Sequence, residues 1–256
     1  MGERGVATQA MLAIARDVAD DRVLAGLICR ACVGGLDVDG AALSLLTASV
    51  ARQTLHATDA TAGVLEELQF TLNEGACIEA ATTGNPVFVA DLEHAVEVAR
   101  WPAFAATVLE RTDVRAVFAL PLRWGTINLG VLDLYRRAPV GLGDEQRRDA
   151  MAAADTAALM MLTLRTDPDG LTEPGARDGR DGRDGWDGWD GSWLDPVVAS
   201  RAEVHQATGM VMGQLGLGAA DALARMRAHA FAAQRLLIEV ARDVVARRLA
   251  FTDETV

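Results

Sequence analysis

Residues Arg177–Gly191 read RDGRDGRDGWDGWDG, five copies of a three-residue unit ending in Asp-Gly. Such a stretch has no apolar face to bury, and glycine loses more conformational freedom on ordering than any other residue. It belongs to no packed core, so it divides the chain into a long N-terminal part and a short C-terminal part. Glycine at every third position is the collagen period, but the other positions carry no proline. Aspartate at every third position suggests calcium, yet calcium loops need oxygens converging in a fixed turn, and Arg177, Arg180 and Arg183 intervene. Residues 166–195 are read as a flexible Asp-Gly-rich linker. Trp186, Trp189 and Trp193 are read as solvated rather than docked on a domain.

Charge is spread unevenly over these parts. Of the formal net charge of −12, residues 1–165 hold 14 arginines against 21 acids, residues 166–196 hold 3 against 9, and residues 197–256 hold 7 against 6. The acidic balance excludes a general nucleic-acid binder; a phosphate-binding surface would need arginines gathered on one face of the C-terminal part. All 24 basic residues are arginine. That excludes Schiff-base and P-loop lysines and the lysine of a receiver-type phosphorylation site. Aromatics are only 5% of the residues, so the cores must be built from Ala, Leu and Val. No apolar run reaches the ~18 residues of a membrane span, and no basic-plus-apolar leader opens the chain. A cytoplasmic protein without membrane association is expected.

The C-terminal part carries three runs of helical periodicity. Val204, Ala207, Val211 and Leu215 fall on one face of the first, Leu223, Met226 and Ala230 on one face of the second, and Leu237, Val240, Ala241 and Val244 on one face of the third. Asp195-Pro196 supplies a cap and an N1 proline, and the Gly-rich segment Leu215–Gly218 ends the first helix. Short amphipathic helices cannot each bury a stripe alone, so a small bundle is expected. Around it, Arg201, His205 and Thr208 follow one side of helix one, with Gln206 and Gly209 beside them. Arg225 and His229 form an i, i+4 pair on helix two with Arg227 nearby, and Arg235 opens helix three. On spacing alone these are an ordinary solvated face, with Asp221 pairing Arg225 and Glu239 pairing Arg235 or Arg242.

The run Gln206-Ala-Thr-Gly-Met-Val-Met212, followed by Ala219–Ala222, Leu223, Met226-Arg227 and Ala230, resembles the ANTAR family. The match continues through Leu236 or Leu237, Val240-Ala241 and Val244-Val245. ANTAR domains are three-helix RNA-binding modules of bacterial antitermination regulators. The resemblance implies binding of RNA stem-loops in nascent transcripts, by a homodimer, through Arg201, His205, Gln206, Thr208, Gly209, Arg225, Arg227, His229 and Arg235. RNA hairpins are read through phosphates and splayed loop bases, by arginine and by stacking. The sequence departs from the family at Thr208, where a lysine is usual. A three-helix unit also fits a DNA-binding helix-turn-helix, but Arg235, Glu239 and Arg242 make a poor recognition helix.

In the N-terminal part, periodicity predicts a helix over Thr8–Val33 ended by Gly34-Gly35, strands over Gly40–Thr47 and Ala51–Thr58, and a helix over Ala60–Gln69. A helix from Gly75 to Gly84, a strand over Val87–Val89, and a helix over Trp101–Glu110 follow. A hairpin then joins Val114–Arg123 to Thr126–Arg136 around Trp124-Gly125, and a closing helix spans Asp144–Leu164. The order argues for an α+β class with an antiparallel sheet. Asn73-Glu-Gly-Ala-Cys77, Thr83-Gly-Asn-Pro-Val87, Asp91-Leu92, Arg100-Trp-Pro102, Ala119-Leu-Pro-Leu122 and Leu129-Gly-Val-Leu132 resemble the GAF family of sensor domains. The expected organisation is a GAF domain over 1–165, a linker over 166–195 and an ANTAR domain over 196–256. The resemblance implies a small-molecule ligand at the GAF domain. Dimerisation is expected through Thr8–Val33 and Asp144–Leu164.

Three cysteines, Cys29, Cys32 and Cys77, remain as candidate redox residues. Cys29-Arg-Ala-Cys32 sits near the C-terminal end of its helix, where the dipole raises a thiol pKa, so helix packing is the preferred reading. Cys77, at a helix start, has the better position. Free methionine sulfoxide reductases are GAF proteins with catalytic cysteines, so a redox sensor or enzyme of that kind is the alternative. No catalytic triad, metal-ligand spacing or phosphate loop appears, and the expectation is a non-enzyme without cofactor or metal.

Overall fold

The computed structural model describes residues 5–14, 18, 20–46, 52–166, 194–233 and 235–252, with side chains 52, 164–166 and 194–202 excepted. Nearly all of the expected linker, including its tryptophans, lies outside the described residues. The elements run α1 (Val6–Leu12), α2 (Asp21–Leu36), β1 (Gly40–Leu46), β2 (Arg52–Ala57), α3 (Ala60–Leu72), α4 (Ala76–Thr83), β3 (Val87–Val89) and α5 (Ala95–Arg100). They continue with α6 (Pro102–Arg111), β4 (Ala116–Trp124), β5 (Ile127–Arg136), α7 (Asp144–Thr166), α8 (Leu194–Leu215), α9 (Ala219–Ala232) and α10 (Leu237–Val245). The class is α+β, as expected.

The sheet has the order β2-β1-β5-β4-β3 and is antiparallel throughout. Alternation along the strands sorts its side chains into two cores. Leu43, Leu45, Phe118, Leu120, Leu132 and Leu134 face α1, α2 and α7. Ala42, Val117, Ala119, Val131 and Tyr135 face α3, α4 and α6. Gly125, at φ 59°, turns the hairpin between β4 and β5 where the sequence placed it. Gly75 (φ 114°) and Gly84 (φ 68°) bound α4 in backbone conformations that side chains resist.

Two local expectations are corrected. The helix over Thr8–Val33 is two helices, because Asp20 leaves the helical conformation and its carboxylate accepts from Arg22 N and Val23 N, starting α2 anew. Nor do Gly34-Gly35 end α2; it continues to Leu36, and the missing side chain of Gly35 makes room for α1, since a Cβ there would stand 2.4 Å from Ala7 N. In β2, Thr54 and His56 pair with the adjacent residues Ser44 and Leu43 across an irregularity in the register, so Thr54 points to α3 and His56 to α2.

Helix α1 is capped by a distant side chain. Its N-cap, Gly5, has none to offer, and the Asp149 carboxylate of α7 takes the role. Asp149 accepts from Ala7 N at 2.9 Å, Thr8 N at 3.1 Å and Thr8 Oγ1 at 2.6 Å. The C-terminal helices form the expected bundle around Val204, Ala207, Val211, Leu223, Met226, Ala230, Leu237, Val240, Ala241 and Val244, all buried.

Candidate nucleic-acid interface and buried cavity

The bundle separates the candidate RNA contacts by what their side chains already do. On α8, His205, Gln206 and Gly209 are exposed, and a Cβ on Gly209 would meet nothing within 4 Å. Arg201 lies on the same helix, its side chain outside the described set. Thr208, expected to face RNA, is instead buried: its hydroxyl donates to Val204 O at 2.7 Å and sits 3.8 Å from the Met226 sulfur. On α9, Arg225 is exposed and makes no ion pair among the described residues, so the expected Asp221–Arg225 pair does not form. His229 is half-buried, with its ring edge-on to Phe251 at 5.4 Å.

Arg235 is tied into a local ionic knot. Its guanidinium donates to Asp243 at 2.7 Å, Arg248 donates to the same carboxylate at 2.8 Å, and these two bonds, Arg235's first, hold the Asp243 pKa below its ordinary value. Glu239 pairs with neither Arg235 nor Arg242; it accepts from Leu236 N at 2.9 Å, and Arg242 pairs with Glu203 of α8. Helix α10 thus spends its polar groups holding the bundle together.

Arg227 is unlike Arg225. Two positions on a helix are about 200° apart in rotation, so the pair flank opposite edges of the buried stripe. Arg227 turns to the N-terminal domain, where its Nε–H donates to Phe70 O at 3.1 Å and its guanidinium lies 5.2 Å from the Phe70 ring centre. Phe70, at the end of α3, is only 2% exposed and packs in the hydrophobic cluster of the C-terminal bundle. Leu236, at the start of α10, packs against both that cluster and the core beneath α3. No sequence motif announced this contact. The one signal was that Gly63, Leu65, Leu68, Phe70 and Leu72 do not fall on a single stripe, as a helix covered on more than one side requires.

An adjacent face of α3 covers a small cavity. Ala62, Leu65 and Gln69 of α3, with Ala42, Asp133 and Tyr135 of the sheet, line a cavity of about 10 Å³, room for one water molecule. Beside it Ser44 Oγ and Thr54 Oγ1 donate to the Glu66 carboxylate, the latter at 2.9 Å, and Gln69 Oε1 accepts from Cys77 N at 2.7 Å. Tyr135 OH donates to Asp59 at 3.0 Å; burial, then the Asp59 charge, pushes its pKa up to about 12. Donor atoms of Glu66, Cys77 and Asp133 lie within 4.8 Å of one another. The site is therefore polar but collapsed around its own side chains.

The cysteines are placed as packing residues. Cys29, Cys32 and Cys77 are all buried and free. Burial, reinforced by Cys32, raises the Cys29 pKa well above its ordinary value, and burial reinforced by Asp149 raises that of Cys32. Both thiols are thereby kept from the nucleophilic thiolate form.

A sheet covered by helices on both faces, with a small cavity under one of them, followed by a three-helix bundle, defines a sensor domain joined to a small helical effector. The GAF domain family model matches residues 7–178 and the ANTAR domain model matches residues 197–245. The chain belongs to the GAF domain family and carries an ANTAR domain behind it. It joins a signal-receiving unit to an RNA-binding regulatory one, a pairing typical of non-enzymatic regulators. No curated protein matches the sequence. Among solved structures, the GAF domain of a phosphoenolpyruvate-protein phosphotransferase from Coxiella burnetii is similar at 12% identity, over 62% of this chain and 92% of that one, with a TM-score of 0.45. The corresponding Acinetobacter domain gives 10% identity over 62% and 92%, at TM-score 0.47. Free methionine-R-sulfoxide reductase from Neisseria meningitidis gives 14% identity over 62% and 88%, at TM-score 0.43. Among the described residues, no helix is long and apolar enough to cross a membrane.

Proposed function

We propose that this chain is a signal-responsive antitermination regulator that binds paired short stem-loops in a nascent transcript. It would stabilise an antiterminator against a competing terminator, under control of a small molecule received by the GAF domain. The observation that carries the reading is the ANTAR match over residues 197–245, with His205, Gln206 and Gly209 of α8 and Arg225 of α9 exposed around its bundle. Arg201, Arg227 and His229 complete the proposed RNA-contacting set. Thr208 and Arg235 serve it indirectly, by setting the spacing of α8 on α9 and the start of α10. Two hairpins call for two modules, so the working form is a homodimer. The outer sides of α1, α2 and α7, where Leu12, Val23, Met151 and Leu159 are exposed, are its proposed contact.

The test is binding of the full chain, and of Arg225→Ala, to a two-hairpin RNA at several salt concentrations, with duplex DNA of equal length as control. RNA is expected to bind in preference to DNA and more weakly as salt rises. Arg225→Ala should lower affinity and reduce the salt slope by about one phosphate contact. Equal binding of RNA and DNA, or an unchanged slope in the variant, refutes the reading.

A further inference from the structure

We infer that α3 of the GAF domain is a docking surface for this chain's own ANTAR domain, and that docking and RNA compete for Arg227. The inference rests on the RNA-binding reading above and adds its control. Phe70 stands on α3, yet its side chain completes the apolar cluster of the ANTAR bundle; among the described residues it is that cluster's only member from the GAF domain. The Phe70 carbonyl accepts from Arg227 Nε, and the Phe70 ring lies under the same guanidinium. A guanidinium whose Nε–H is held by a carbonyl and whose plane lies near a ring cannot turn freely to grip a phosphate. Leu236 supplies a second apolar contact from the other end of the bundle's inner surface.

The placement of α3 makes the contact responsive. Leu65 and Gln69 line the closed cavity, while Phe70 and its carbonyl hold the ANTAR domain, all within two turns of one helix. The cavity has room for one water, so any larger ligand must part the helices that cover it, α3 and α6, from the sheet. Displacing α3 moves Phe70 and weakens the seat of the ANTAR domain, whose α8 also packs against β2. By linkage, RNA that takes Arg227 must also loosen α3.

Phe70→Ala in the full chain alters no residue of the proposed RNA surface. The variant should bind the two-hairpin RNA about 5-fold more tightly or better, within the usual range of intramolecular coupling. Without RNA, amide hydrogen exchange over 219–232 should rise in the variant. If Phe70→Ala does not fold, Phe70→Leu keeps the apolar volume and loses the ring beneath Arg227, and a smaller gain in affinity is expected. In the wild type, adding RNA should raise exchange over residues 66–72. A folded variant with unchanged RNA affinity, or RNA binding that leaves exchange over 66–72 unchanged, overturns the inference. RNA binding by none of the proteins would instead sink the RNA reading and the competition built on it, while the exchange over 219–232 still reports whether α3 seats the bundle.

Discussion

Asp149 offers a sharp test of how the N-terminal helix is held. Its carboxylate accepts three hydrogen bonds from the first turn of α1, at 2.6–3.1 Å, and stands in for a capping side chain that Gly5 lacks. Each bond to a charged group contributes about 1.5–3 kcal/mol, but the three do not add, because α1 can detach and let water satisfy its donors. Detachment exposes Met11 and Ala7, both fully buried, which costs about 2–4 kcal/mol. Asp149→Ala should therefore lose about 3 kcal/mol. The melting temperature of the GAF domain should fall by roughly 5–10 °C, with exchange over 6–12 rising ahead of the global transition.

Asp149→Asn separates hydrogen bonding from packing. An amide of the same shape must turn its NH₂ toward a donor, either Ala7 N–H or the Thr8 pair, so it should lose nearly as much as alanine. Gly5→Ala should do similar damage from the other side, since its Cβ would fall 1.9 Å from the Asp149 Cγ. An Asn variant as stable as the wild type in urea and thermal denaturation would refute the capping account.

Two further predictions concern buried polar groups. Burial, and then the nearby Arg30 charge, lowers the His56 pKa from 6.5 to about 4, so the folded chain refuses a proton that the unfolded chain binds. The associated stability is complete above pH 6.5 and is lost as pH falls toward 4, by about 3 kcal/mol in all; urea titrations of the wild type and His56→Gln should differ in slope across that window, and identical slopes would refute it. Thr208 bonds only inside the bundle, so Thr208→Val should change stability by less than about 1.5 kcal/mol and leave RNA affinity unchanged, whereas a several-fold loss of affinity would return Thr208 to the RNA surface.

What was legible in the sequence is what local period determines. The stripe of Val204, Ala207 and Val211 had to face a partner whatever the rest of the chain did, and Trp124-Gly125 between two β-rich runs had to turn. Contacts between distant residues left no such trace. Asp149 caps a helix 142 positions away, and its spacing within α7 reads as one more surface acid. The break at Asp20 was hidden because apolar residues on both sides kept a helical period, while the cap that decides the matter is one short side chain. The candidate interface was legible as a set of residues and not as a surface. Helical wheels put Arg225 and Arg227 on one element, but only the position of α3 decides that one faces solvent and the other Phe70.

The docked arrangement also resolves a difficulty in joining a sensor to an effector through Arg177–Gly191. A connection as flexible as its sequence predicts would transmit no rotation, so control would not travel along it. It need not, since α3 touches both domains directly. Between Thr166 and Leu194 the chain holds 27 residues, and a flexible link of that length would keep the ANTAR domain near α3 at an effective concentration on the order of millimolar. The Phe70 ring, the Arg227 guanidinium, Leu236 and the packing of α8 on β2 make a small interface; a bimolecular Kd of about a millimolar would correspond to roughly 4 kcal/mol. Weak affinity set against millimolar concentration leaves docked and released states close to balance. Near balance, about 1.4 kcal/mol of ligand or RNA binding energy shifts their ratio tenfold. A tighter seat would need a ligand to supply far more, and a stiffer connection would add nothing. Linker length should matter little, because doubling it changes closure by only about 0.6 kcal/mol.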